Sequence, residues 1–163
     1  MDDSRKVYFT FDDGPTPEIT KFVLDCLADY DAKGSFFCIG KNMLAHGDIV
    51  DSIVKAGHSI GNHTMNHANA WNYSLADFET DYLMCEEVFS SMHIQSIGFR
   101  PPYGRVNSFI YHEMSNTIEV FMWSILTGDY NKSMNPATII DKCKKHIKPG
   151  SIIVFHDSYH EKQ

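Results

Sequence analysis

Lys6-Val7-Tyr8-Phe9-Thr10-Phe11-Asp12-Asp13-Gly14-Pro15 reads as a β-strand that ends on two carboxylates. Val7, Phe9 and Phe11 share one face, and β-formers occupy both faces. Gly14-Pro15 then stops the strand at once. Adjacent carboxylates repel unless a cation or a proton relieves them, so the pair suits one group that holds a metal and one that moves a proton. A lone Asp-Asp-Gly is more often a solvated acidic turn. The rest of the chain reverses that reading.

The 163 residues read as a single domain, 1–163, and a 43% apolar content is enough for a core. The formal net charge is -7 and no basic run is visible, which argues against nucleic acid as a partner. No apolar stretch is long enough to span a membrane. Met1 to Lys6 runs straight into the first strand, so the chain as given shows no signal peptide and reads as cytoplasmic as written. A trimmed export signal would leave no trace. Cys26, Cys38, Cys85 and Cys143 lie far apart, without a C-x-x-C pair, inside expected helices or strands. They are expected to be buried free thiols.

Downstream, Thr16 is expected to cap a helix with Pro17 at its first position and Ile19, Phe22, Val23, Cys26, Leu27 and Tyr30 inward. Ser35 to Ile39 reads as a second strand, and a short helix from Asp48 turns Ile49, Ile53 and Val54 inward before Gly57. Ser59 to Gly61 is a short third strand. Ser74 caps a long helix with Leu75, Phe78, Tyr82, Cys85, Phe89 and Met92 on one face. Ile97 to Phe99 is a fourth strand, Asn107 to Asn116 a helix, and Ile118 to Trp123 a fifth strand. Asn135-Pro136 opens a helix with Ile139, Ile140, Cys143 and Ile147 inward, and Ser151 to Phe155 is the sixth strand. This alternation predicts an α/β fold with a largely parallel sheet.

The unusual polar residues share one place in that pattern. Asp12, Asp13, His63, Arg100, Asp129 and His156 each lie at or just past the C-terminal end of an expected strand, where the βα loops of such folds converge. His63 and His67 are four apart, which on one helical turn gives a bite for one cation. His156 and His160 have the same spacing, but His160 sits in a polar tail. His46, His58, His93, His112 and His146 read as surface or helix-end residues. Arg100 suits the orientation of a buried carboxylate, since guanidinium grips carboxylate in a fixed fork. Asp129 and His156 suit a carboxylate–imidazole pair whose imidazole is protonated near neutrality.

These residues resemble a known family. Thr10 to Gly14 (T-F-D-D-G), His63 to His67 (H-[ST]-x-x-H), Arg100 to Tyr103 (R-x-P-Y), Asp129-Tyr130 after Trp123, and Val154-Phe155-His156 (for L-x-H) are similar, in order and spacing, to the five motifs of the polysaccharide deacetylases of carbohydrate esterase family four, the NodB-homology domain. The resemblance covers essentially the whole chain. It implies one divalent metal ion, zinc above others, held by Asp13, His63 and His67. Asp12 would be the base that activates water, oriented by Arg100. The Tyr103 backbone N–H would help hold the oxyanion, and His156, tuned by Asp129, would protonate the leaving amine. The implied substrate is an acetylated carbohydrate, an N-acetylhexosamine polymer or oligomer, with Pro102, Trp123, Tyr130 and Val154 as the wall around the acetyl methyl. Two other readings are an esterase acting on O-acetyl sugars such as xylan and a metal-binding domain that holds carbohydrate without catalysis.

Val154 stands where the family usually has Leu, and Tyr130 where Trp is commoner; both predict altered fit with the chemistry kept. Members usually continue past the fifth motif with one more helix and strand, whereas this chain stops at Gln163. The expected fold is therefore a distorted (β/α) barrel of about seven strands lacking its last C-terminal unit. An unpaired edge beside His156 would then favour self-association.

Overall fold

The computed structural model describes residues 6–108, 110 and 117–159. Among the described residues five strands form one sheet: β1 (Tyr8–Asp12), β2 (Gly34–Cys38), β3 (Ser59–Asn62), β4 (Ile125–Leu126) and β5 (Ile152–His156). Their order is β3-β2-β1-β5-β4 and every pairing is parallel. All strands therefore end on one edge, which is what gathers the polar residues. The helices are α1 (Ile19–Asp29), α2 (Gly40–Ala45), α3 (Gly47–Lys55), α4 (Leu75–Ser91) and α5 (Pro136–His146). None of the described helices is long and apolar enough to cross a membrane.

The first strand behaves as its alternation predicts. Phe11 stacks on Phe36 and Phe155 at 5.0 and 5.9 Å, joining β1 to both neighbours. The core continues through Leu27, Met43, Ile49, Val50, Ile53, Ile60, Cys85 and Phe89. Side chains of that size each add about 1.5–3 kcal/mol when fully buried. A second cluster, Phe78, Tyr82, Phe99 and Ile110 with Ala68 and Ala70, lies under α4.

Several expectations are corrected. The expected fourth and fifth strands survive only as single parallel bridges, Asn62 to Phe99 and Phe99 to Val120, while regular pairing occurs later, at β4. Two features break those strands. Gly98 has φ 136°, and a Cβ there would stand 2.4 Å from the Glu119 carbonyl oxygen. The Phe121 and Met122 carbonyls accept from Arg100 Nε and Nη2, at 3.2 and 3.4 Å, instead of from a ladder. β5 has β1 on one side and β4 on the other, so the outer edge of the sheet on the His156 side is β4, which pairs with β5 at Ile153 and Val154.

Among the helices, α1 begins at Ile19, after a Glu18 N-cap at φ 68° that makes no side-chain cap bond. Its buried residues are Thr20 and Leu27, while Phe22 is 67% and Tyr30 85% exposed. The inward face is turned because the Thr20 hydroxyl is spent inside the protein. Similarly, α3 buries Val50 where Val54 was expected, and α2 is an additional helix. Leu75, on the expected inward face of α4, is exposed. Ser74 does cap α4, accepting from the Asp77 N–H at 3.1 Å, and Asn135 caps α5 through the Ala137 N–H at 2.8 Å. No residue of α5 is buried, so its expected inward face rests only lightly on the sheet. All four cysteines are free; Cys38 and Cys85 are buried, Cys143 is half-buried, and Cys26 is exposed. The expected helix 107–116, His112 and His160 fall largely or wholly outside the described residues.

Candidate active site

Asp12 is the last residue of β1, and Asp13 leaves the strand with φ 80°. For a non-glycine residue that conformation costs about 1–3 kcal/mol and must be held by its surroundings. The Asp13 N–H donates to the Phe37 carbonyl at 3.2 Å, and Asn42 Nδ2 donates to the Asp13 carbonyl at 2.7 Å. The twist separates the two carboxylates, which a straight strand would also have pointed to opposite faces.

Asp13 turns toward His63 and His67. One ligand atom from each of the three residues lies within 4.8 Å of the others. The two histidines reach this point from a loop, not from the helical turn that their spacing suggests: Thr64 and His67 have φ of 64° and 59°. Helix α4 braces that loop. The Asp81 carboxylate accepts from the Asn66 N–H and Nδ2 at 2.9 and 3.0 Å. Asn62 accepts from the Thr64 N–H at 2.7 Å and donates to Glu86 Oε1 at 2.7 Å.

The hydrogen-bond pattern shows what the triad lacks. His63 Nδ1 lies 2.7 Å from the Arg100 carbonyl oxygen, which can only accept, so the neutral ring carries its proton on Nδ1. Its Nε2 lone pair then faces Asp13 Oδ1 at 3.5 Å, and His67 Nε2 faces the same oxygen at 3.3 Å. Asp13 Oδ1 is buried without a hydrogen-bond partner. A buried acceptor among acceptors is costly, and a divalent cation is the species that satisfies all three. The residues therefore fit a metal ion.

Electrostatics agree. Burial alone would raise the Asp13 pKa, but positive charge at the His63 and His67 position overrides it and holds the carboxyl well below the usual range, and with neutral imidazoles that charge has to come from a cation. Burial, reinforced by His63, lowers His67 from 6.5 to about 4. His67 is thus neutral and ready to ligate at ordinary pH. In the metal-free protein His67 is expected to titrate near that lowered value, measured by NMR of the imidazole nitrogens. The folded form binds this proton less readily than the unfolded chain. The group's contribution to stability is therefore complete above 6.5 and erodes as pH falls toward 4.

Arg100 is fully buried and closes the other side. Its Nη1 donates to Asp12 Oδ1 and Thr10 Oγ1, both at 2.7 Å, and its guanidinium lies 4.0 Å over the Phe37 ring. Opposite, His156 Nδ1 sits 2.7 Å from Asp129 Oδ1, and the His156 N–H donates to Asp129 Oδ2 at 2.8 Å. Burial opposes the charge on His156, but the Asp129 hydrogen bond and charge outweigh it and raise the pKa. The imidazolium form therefore persists at higher pH and is lost as pH rises through the raised value. Asp129→Asn is expected to move the basic limb of the pH–rate profile to lower pH, read from kcat against pH.

Asp12, Asp13, His63, His67 and His156 line one open cleft of about 1030 Å³. Tyr103, Trp123, Tyr130 and Val154 line it as well, whereas Pro102, expected in the pocket, is buried and outside the lining. Tyr130 meets the His156 ring edge-on at 5.3 Å, and the Tyr103 ring packs on His67 at 4.5 Å. Sequence reasoning missed Asn62 and Asp81, which brace the histidine loop, and Asp157 and Ser158, which follow His156. An Asp directly after a strand-ending His was the available signal for Asp157. Burial is the first cause that pushes the Asp157 carboxyl up to about 7.

An Asp-His-His group that fits a cation, set between a carboxylate and a further histidine, suits hydrolase chemistry, and this mouth on a parallel α/β sheet is that of a metal-dependent hydrolase. The chain belongs to the polysaccharide deacetylase family, whose model matches residues 2–117. It is similar to a peptidoglycan-N-acetylglucosamine deacetylase of Bacillus cereus, 36% identical over 154 residues, 93% of this chain and 72% of that one. A chitooligosaccharide deacetylase of Rhizobium leguminosarum bv. trifolii is 30% identical over 157 residues, 95% of this chain and 73% of its own. The structure matches that of the peptidoglycan deacetylase PdaC from Bacillus subtilis with a TM-score of 0.88 at 27% identity, over 98% of this chain and 78% of the other. Other relatives are longer, and the chain spans 56% and 33% of two of them.

Proposed function

We propose that this protein, as a single catalytic domain over residues 1–163, hydrolyses N-acetyl groups on an N-acetylhexosamine polysaccharide or oligosaccharide and releases acetate. The observation that carries this is the buried, unpartnered Asp13 Oδ1 facing two imidazole nitrogens in the cleft that also holds Asp12 and His156. Asp13, His63 and His67 would hold one divalent ion, zinc by its liking for imidazole and carboxylate in a site with open positions. When bound, such an ion polarises the acetyl carbonyl and acidifies water.

The protein's own groups do the rest. Arg100 fixes the Asp12 carboxylate, which takes a proton from the attacking water. The Tyr103 N–H would donate to the developing oxyanion. His156, held protonated by Asp129, delivers a proton to the amide nitrogen as the carbon–nitrogen bond breaks, leaving a free amine and acetate. Trp123, Tyr130 and Val154 enclose the methyl group. Strand positions at Phe99 and Val120 support reading the curved sheet as a distorted barrel of about seven strands.

The test is acetate release from acetylated chito-oligosaccharides and from peptidoglycan fragments, with and without chelator, set beside release from O-acetylated xylan. Zinc-dependent release from the amino sugars, absent in His63→Ala and His67→Ala along with the metal, is the expected result. Release from xylan alone, or release that survives chelation, would overturn the proposal.

A further inference from the structure

We infer that Asp157 and Ser158, the two residues that follow His156, are positioning residues that set Asp13 for its cation, Asp157 through the backbone and Ser158 through the carboxylate. The inference rests on the reading of Asp13 as a metal ligand. Neither residue lies in the five motifs.

Asp157 is fully buried, and the β1–α1 loop is wrapped around its carboxylate. Its N–H donates to the Asp12 carbonyl at 3.1 Å, which completes the ladder at the Asp12–His156 pair. Oδ1 accepts from the Gly14 N–H at 3.1 Å, and Oδ2 accepts from the Thr20 hydroxyl at 2.6 Å. Thr20 Oγ1 in turn accepts from the Thr16 N–H at 2.7 Å. A Cβ on residue 14 would stand 2.1 Å from Asp157 Oδ2, so only glycine lets the backbone come this close. Asp13 is thus pinned from both sides, at Asp12 and at Gly14, by one residue. Its φ of 80° is the conformation that such pinning imposes.

Ser158 then divides the Asp13 carboxylate. Its hydroxyl donates to Oδ2 at 3.1 Å, which fixes the rotation of the group. The other oxygen, Oδ1, is left facing His63 and His67 without a hydrogen bond. A carboxylate held by one oxygen presents the other as a single, oriented ligand atom.

The test uses the whole chain and three variants: Ser158→Ala, Thr20→Val and Asp157→Asn, with Ser158→Thr as the conservative control. Zinc Kd is measured by competition with a chromophoric chelator, the visible spectrum is recorded on the cobalt-loaded protein, and melting is followed on the metal-free protein. Ser158→Ala and Thr20→Val are expected to weaken zinc by about tenfold or more and to shift the cobalt bands. Ser158→Thr is expected to bind like the wild type, and Ser158→Ala to melt like it without metal. Zinc Kd values within twofold of wild type and unchanged cobalt bands in both Ser158→Ala and Thr20→Val would overturn the inference, whether or not Asp157→Asn folds. A wild-type protein that takes up no zinc would overturn both this inference and the metal reading, whereas tight wild-type binding with unaffected variants sinks this inference alone.

Discussion

Asp12→Asn is expected to keep the fold and the metal and to lose about 10²–10⁴-fold in turnover, the usual worth of a positioned general base. The substitution keeps the shape of the side chain, and an amide oxygen can still accept from Arg100 Nη1, now 2.7 Å from Asp12 Oδ1. What it removes is the ability to take a proton from water. Asp13→Asn should do the reverse. Asp13 faces both imidazoles within 3.5 Å, so replacing its carboxylate weakens metal binding, and excess metal restores part of the activity. Metal content and acetate release on both variants decide the matter. If Asp12→Asn loses its metal while Asp13→Asn keeps metal and activity, the two roles are exchanged.

Arg100→Met is expected to destabilise the protein by about 3–5 kcal/mol, because it leaves a buried carboxylate uncompensated. Arg100 is fully buried and does not line the cleft, so water reaching Asp12 from the cleft does not take the place of the lost Nη1 donor. The same change orphans the Phe121 and Met122 carbonyls and removes the ring contact with Phe37. At roughly 2–4 °C per kcal/mol for a chain of this size, melting should fall by about 6–20 °C. Arg100→Lys should rescue little, because a single ammonium cannot reach Asp12, Thr10 and two carbonyls at once. Thermal unfolding followed by circular dichroism checks both variants. A loss below 1 kcal/mol would mean that the guanidinium is not what holds Asp12.

Much of the architecture was legible because its signals are local. The β1 alternation, the Ser74 and Asn135 caps and the Phe78–Tyr82–Cys85–Phe89 stripe each depend on residues a few positions apart. So did the gathering of Asp12, Asp13, His63, Arg100, Asp129 and His156, since parallel strands bring all their C-terminal ends to one edge. The errors arose where a distant group competed. The face of α1 turns because Thr20 serves Asp157, 137 residues away. The expected strands at 97–99 and 118–123 shrink to bridges because Arg100 takes two of their carbonyls and Gly98 bends sharply.

By itself, the sequence determined the fold class, the family and the residue types that gather at the mouth, because periodicity, caps and motif spacing are written in neighbouring positions. The tertiary structure alone decided that the histidine pair sits on a loop braced by α4, that β5 is flanked on both sides, and that Asp157 and Ser158 hold Asp13. These rest on hydrogen bonds between residues as much as 145 positions apart, between Ser158 and Asp13, for which no local pattern in the chain gives a sign. Their geometry exists only once the sheet has brought β1 and β5 side by side.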